Sequence, residues 1–229
     1  MHVPYRRKTE IDAMAMDLLQ KFYVWKGQKI TAPINVDDII EGYFKLDLQF
    51  TDLKSLLQIP DVLGATWFED NVMRIDSSLE DREGRLAFTI AHEIGHWWMH
   101  RPIYEMEKVS LPLFSYGENN PPTPALVCRS ARKKEPAEWQ ADQFAAMLLM
   151  PAPLVRAAVA NMHGTGPIPI GKLEEYSRNA ADNPILRQTA KLFIDEHDFS
   201  NVSIEAMCYR LTDLKCVADA NPRQHTLFS

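Results

Sequence analysis

The residues best suited to chemistry lie between Phe88 and His100, in the run Phe-Thr-Ile-Ala-His-Glu-Ile-Gly-His-Trp-Trp-Met-His. Within it His92, Glu93 and His96 form an HExxH motif. One helical turn separates His92 from His96, so both imidazoles face the same side and can reach one ion. Glu93 is turned about 100° from His92, beside that ion rather than on it, where a carboxylate can take a proton from an activated water. The pattern supplies two neutral nitrogen ligands and a base that leaves a coordination position open. Two features argue for more than a pair of helical histidines. Leu86, Phe88, Ile90, Ala91, Ile94, Trp97 and Trp98 surround the motif, and uncompensated polar groups are costly in such company. Gly95 sits mid-helix, at up to about 1 kcal/mol against alanine, which signals a close approach by another element.

A catalytic zinc usually takes three protein ligands and keeps a place for water. The third is expected in the segment Glu138–Leu149, where Glu138, Ala141, Ala145 and Leu148 share one helix face and Asp142 lies one turn after Glu138. Two carboxylates thus interrupt an apolar face. Burying them is expensive unless a cation or strong donors meet them. Glu138 is the predicted third ligand, and Asp142 the predicted acceptor of the second N–H of a ligating histidine, fixing its tautomer. Two imidazoles and a carboxylate suit Zn2+, although the set discriminates poorly and also accepts Mn2+. Other residues carry less signal. His100 reads as a helix C-terminal residue facing the negative dipole end, and His163 as an ordinary loop histidine. Tyr104 and Tyr116 are remote candidates for an oxyanion donor, and Arg129, Arg132, Lys133 and Lys134 read as a solvated patch.

The elements that must position these groups follow from periodicity and punctuation. Residues 9–23 have the spacing of an amphipathic helix, and 33–43 that of a short second helix ending at Gly42. Residues 46–50, 62–68 and 72–76 read as strands, the last two joined by the turn Glu69-Asp70-Asn71. Ser77 to Glu80 has capping-box spacing before a long helix over 82–100, stopped by Arg101-Pro102. Residues 103–135, with Pro112, Pro121, Pro122 and Pro124, read as an irregular excursion. A helix over 137–149 opens on Pro136 and ends at Pro151. Beyond it the pattern is helical near 153–162, 171–179, 184–195 and 203–215, and the last ten residues read as frayed. The expected class is α+β: a small, mostly antiparallel sheet packed on the HExxH helix, followed by a helical C-terminal region. The expected division is a metal-binding core over 1–152 and a helical subdomain over 153–229.

Composition excludes several functions. The 229 residues, 46% of them apolar, can bury a core, and suggest one compact domain or one with a small appendage. A net charge of −6 offers no basic excess for phosphates and disfavours a general nucleic-acid binder. Three cysteines without a CxxC fit a reducing compartment, hence a cytoplasmic protein. The N-terminus lacks the apolar stretch of a secretory signal, and no run of about 18 uncharged apolar residues predicts a membrane span.

Phe88 to His96 with His100, then Glu138, Ala141, Asp142, Phe144 to Ala146 and Leu148 to Pro151, resemble the ImmA/IrrE family of metallo-endopeptidases. HExxH followed by ExxxD is the gluzincin arrangement in outline, and the likeness extends over roughly residues 9–215. The resemblance implies a zincin-like core, a zinc ion, and limited proteolysis of a helix-turn-helix repressor of the XRE type inside a bacterial cell or on a mobile element. It makes His92, His96 and Glu138 the ligands and Glu93 the catalytic base. Asp142 stands where the family often has asparagine. The stretch between His96 and Glu138 is long, so no substrate contact carries over to it.

Three functions compete. The first is a zinc endopeptidase acting in transcription regulation, its extended substrate adding to the sheet edge made by the 62–76 hairpin. The second is a catalytically silent, metal-stabilised protein that binds such a repressor, with 103–135 as a cover over the site. The third is a DNA-binding regulator using the helix-turn-helix-like residues 200–216. Residues 151–229 carry 8 Lys/Arg against 9 Asp/Glu, which lacks the basic face that third reading needs, and no direct nucleic-acid binding is expected. The sequence leaves the oligomeric state open.

Overall fold

Helix α1 (Lys8–Lys26) opens on a capping box, in which the Arg7 N–H donates to Glu10 Oε2 at 2.6 Å. Its stripe of Ile11, Ala15, Leu18, Leu19 and Phe22 is fully buried. Gly27, at φ 66°, ends it in the left-handed conformation that frees the last carbonyls for capping bonds. This computed structural model describes residues 3–110, 126–129 and 135–221. They fall into two units, Met1–Leu149 and Met150–Ser229.

In the first unit a π-helical segment, Asp38–Phe44, leads into β1 (Asp47–Thr51). A five-residue helix, α2 (Leu53–Leu57), then turns the chain into β2 (Val62–Trp67) and β3 (Val72–Asp76). With β4 (Leu126–Arg129) they form a sheet of order β1-β3-β2-β4. β2 pairs antiparallel with β3 and with β4, whereas β1 runs parallel to β3, Asp47 opposite Val72. The sheet is mostly antiparallel, as expected, but the 62–76 hairpin has no free side. β1 covers one flank and β4 the other, so the substrate edge expected there is already paired. Among the described residues the outer strands are β1 and β4.

Asp76 ties this region together from the end of β3. Its buried carboxylate accepts from the Leu53 N–H at 3.1 Å, from Lys54 Nζ at 2.9 Å, and from the Ser78 amide and hydroxyl. The capping box expected at Ser77–Glu80 is therefore a 3-10 turn, Ser77–Leu79, capped by Asp76. Helix α3 (Glu83–Gly95) follows and does not stop at Pro102. It passes through a π-helical turn, His96–His100, into α4 (Arg101–Ser110). In the widened turn the Arg101 N–H bonds to the His96 carbonyl, five residues back. A proline inside a helix lacks a donor and crowds the carbonyl four residues earlier, and a wider turn just before it accommodates the altered pairing.

Part of the expected excursion over 103–135 is thus regular, as α4 and β4. Pro112, Pro121, Pro122, Pro124, Tyr116, Arg132, Lys133 and Lys134 lie outside the described residues. Helix α5 (Pro136–Leu149) packs on α3 and on α1. Gly95 makes the first contact close: a Cβ there would stand 3.2 Å from Phe144 Cδ1 and 3.3 Å from Ala141 Cα. That is the approach its mid-helix position predicts.

The second unit holds α6 (Ala152–His163), β5 (Ile168–Ile170), α7 (Pro184–Glu196), α8 (Ile204–Asp213) and β6 (Val217–Asp219). Asn183 caps α7 ahead of Pro184, and Ser203 caps α8, each accepting backbone N–H bonds. Between α6 and α7 the expected helix over 171–179 is reduced to 3-10 turns, Leu173–Tyr176 and Ala180–Asp182. β5 and β6 pair in parallel, a small sheet that the helical pattern does not announce. No single helix among the described residues is long and apolar enough to cross a membrane.

Candidate metal centre

Helix α3 and the turn that follows it bring His92 and His96 to the face toward α5 and Glu93 to the side toward the sheet, each with no exposed surface. Residues 89–95 are all buried, so apolar packing on every side of the helix fixes the three polar groups. α5 presents Glu138 in its first turn and Asp142 one turn later. His92 Nε2 and His96 Nε2 stand 2.9 Å apart. Glu138 Oε1 lies 3.1 Å from His96 Nε2, and its Oε2 lies 3.3 Å from His92 Nε2. His92, His96 and Glu138 each offer one ligand atom, and these atoms all lie within 4.8 Å of one another. The residues expected as ligands do converge.

The convergence is hard to satisfy with protein atoms alone. Two imidazole nitrogens 2.9 Å apart can share at most one proton. Glu138 Oε2 and Glu93 Oε1 are buried without a hydrogen-bond partner, which is costly for a carboxylate. A divalent cation among these atoms accepts the lone pairs from both imidazoles and compensates the buried negative charge. The donor set therefore fits a metal ion.

On the outer side of His92, Nδ1 is 3.0 Å from Asp142 Oδ1. An ionised carboxylate only accepts, so Nδ1 carries the proton and Nε2 offers its lone pair inward. The outer nitrogen of His96 faces another histidine: His96 Nδ1 and His100 Nδ1 are 2.9 Å apart. His100 is fully buried and therefore differs from the helix-end residue expected from sequence. Its Nε2 lies 3.2 Å from Gln140 Oε1.

Glu93 points to the sheet. The Thr66 hydroxyl on β2 donates to its Oε2 at 2.6 Å. Gly64, two residues earlier on β2, leaves the room it occupies, because a Cβ there would come within 2.7 Å of Glu93 Oε1. Burial pushes the Glu93 carboxyl up to about 7, against the pull of His92 and the Thr66 hydroxyl, and Glu138 adds to the rise. Burial lowers His96 to about 4 and His100 to about 3, so both rings are neutral near pH 7.

The lesser candidates lie elsewhere. The Tyr104 hydroxyl donates to Glu69 Oε1 at 2.8 Å, and His163 is the last residue of α6 in the second unit. Of the residues around the centre, sequence spacing pointed to His92, Glu93, His96, Glu138 and Asp142. Thr66, Gly64 and Gln140 were not foreseen. They reach the centre through contacts between segments distant in the chain, which no local pattern announces.

Residues 55–176, more than half of the chain, match the family model described as peptidase M78, IrrE N-terminal-like domain. The match contains α3, α5 and the three converging side chains. No curated protein matches the chain.

Proposed function

Since the chain belongs to the IrrE N-terminal-like family of M78 peptidases, we propose that it is a zinc-dependent endopeptidase and that its substrate is a helix-turn-helix repressor. The family supports a metallopeptidase, and the convergence of His92, His96 and Glu138 beside Glu93 supports a metal site with a base next to it. When bound, zinc polarises a scissile carbonyl and makes water nucleophilic at neutral pH. His92 and His96 would hold it through Nε2 and Glu138 through its carboxylate, with Asp142 keeping His92 in the tautomer this needs. Glu93 stays off the metal. Thr66 fastens its Oε2, which leaves Oε1 to accept the proton of the attacking water and return it to the departing amine. A carboxyl raised towards neutrality is suited to both transfers. The repressor as substrate rests on the resemblance to the ImmA/IrrE motifs, and the acidic balance of the chain supports a protein rather than a nucleic acid as its target.

Co-expression with a repressor encoded beside it tests the reading. The wild-type chain should cleave that repressor, and Glu93→Gln should keep one metal per chain while losing cleavage by about 10²-fold or more. His96→Ala should lose both metal and cleavage. Full activity in Glu93→Gln would sink the proposal. Repressor binding without cleavage by the metal-loaded wild type would favour the silent regulatory protein instead.

A further inference from the structure

Asp142 explains how His92 is oriented, but among the described residues His96 has a histidine, not a carboxylate, at its outer nitrogen. We propose that His100 and Gln140 form a hydrogen-bond relay, anchored on the Pro4 carbonyl, that fixes His96 in the tautomer presenting Nε2 to the metal. This rests on the reading of His92, His96 and Glu138 as ligands; it does not depend on what the enzyme cleaves.

The direction of the relay follows from its fixed end. A backbone carbonyl only accepts, so the contact of 2.8 Å between Gln140 Nε2 and Pro4 O has the Gln140 amide N–H as donor. That sets which way the Gln140 side chain is turned and leaves Oε1, an acceptor, facing His100 at 3.2 Å. His100 must then carry its proton on Nε2, and the neutral ring has a lone pair on Nδ1. His96 Nδ1, 2.9 Å away, must donate to that lone pair. Its proton is then on Nδ1, and Nε2 turns a lone pair toward His92 Nε2 and Glu138 Oε1. One carbonyl in the N-terminal segment thus determines the ligating atom of His96 through two side chains. His96 and His100 are fully buried and Gln140 is 1% exposed, so water does not compete for these bonds.

The two imidazole ligands are oriented in different ways. Asp142 holds His92 with a charge, whereas an uncharged chain of partners holds His96. A centre that already contains Glu93, Glu138 and Asp142 is spared a fourth carboxylate, whose burial next to the others would be unfavourable. His100 and Gln140 are positioning residues, because they act on the metal through His96.

The relay is tested on the 229-residue chain loaded with Zn2+. Long-range proton–nitrogen spectra of the histidine rings should show His100 protonated on Nε2 and not on Nδ1. Chelator competition should show zinc held about 10- to 100-fold more weakly by Gln140→Met and by His100→Phe. His100→Gln, which can accept at one end and donate at the other, should recover part of that loss; a merely space-filling role would favour the phenylalanine. A proton on His100 Nδ1, or wild-type affinity in Gln140→Met, overturns the relay while leaving the metallopeptidase reading intact. A wild-type chain that binds no zinc overturns both.

Discussion

Thr66 and Gly64 show how much of the centre depends on side chains that never touch a metal. Removing the hydroxyl in Thr66→Val should leave zinc content unchanged but lower turnover about 10-fold, because the base loses the bond that aims it. Thr66→Ser should restore most of the loss. Gly64→Ala places a methyl within 2.7 Å of Glu93 Oε1, so the base must move. Turnover should fall by about 10²-fold with metal retained, which single-turnover cleavage and metal analysis on the same sample would check. Activity equal to wild type in Gly64→Ala would show that Glu93 works from another position. The pair His92 and His96 was legible in the sequence because one helix sets their separation. Glu138 and Asp142 were legible because carboxylates on an apolar face need a reason. His100 was visible as a residue but not as a partner, since its role depends on Gln140 and on Pro4, more than a hundred positions apart in the chain.

Elements fix these residues only as well as they pack on one another, and α3 against α5 is the decisive contact. Gly95→Ala should gain helix propensity yet destabilise the protein by about 1–2 kcal/mol, because the new methyl meets the backbone of Ala141 at 3.3 Å as well as Phe144. Pushing α5 away should also weaken zinc binding, so melting temperature and chelator competition should shift together. Asp76 has the same weight for the sheet. Burial would raise its carboxyl, but donors from Ser78 and Lys54 overcome this and hold it below its ordinary value. Its folded pKa therefore lies under the unfolded one, and the stabilisation is complete above about pH 4 and is lost as the pH falls through the folded value. Asp76→Asn should cost about 1–3 kcal/mol at neutral pH, a gap that denaturant titrations should find shrinking below about pH 4. Strands 62–68 and 72–76 and most helices were readable from periodicity. The parallel partner of β3 was not, since alternation in 46–50 marks a strand without naming its neighbour. Pro102 misled because a proline stops an α-helix, whereas here the turn before it is wider.

For the molecule as a whole, His92, His96 and Glu138 all belong to the first of the two units, so metal removal is expected to act on that unit. α7 and α8 have their own caps and a buried core of Phe193, Phe199, Met207 and Leu211, all at most 1% exposed. Stripping the metal should remove several kcal/mol from the first unit, about 4 if zinc had been present at a thousand times its dissociation constant. Hydrogen exchange after chelation should therefore quicken in α3 and α5 and change little in α7 and α8. Equal loss in both units would show that they unfold as one. At this scale composition carries an expectation, a net charge of −6 arguing against a nucleic-acid surface, while the family match is to peptidases. The β5–β6 pair was beyond its reach, because two three-residue strands carry too little pattern to stand out among helices.

The π-helical turn at His96–His100 has a consequence for sequence change. Such a turn contains about one residue more than regular winding requires. Losing a single amino acid between Trp97 and Met99 would let the rod wind regularly without breaking it. Everything before the deletion, both imidazole ligands and Glu93 included, would keep its angular phase. Everything after it, α4 included, would also stay close to its present phase, because the extra residue is what the widened turn absorbs. Only the span from His96 to the ring now at His100 would shorten, from four residues to three, so a gapped copy with a perfect motif and an unbroken rod would still lose the contact between those two rings.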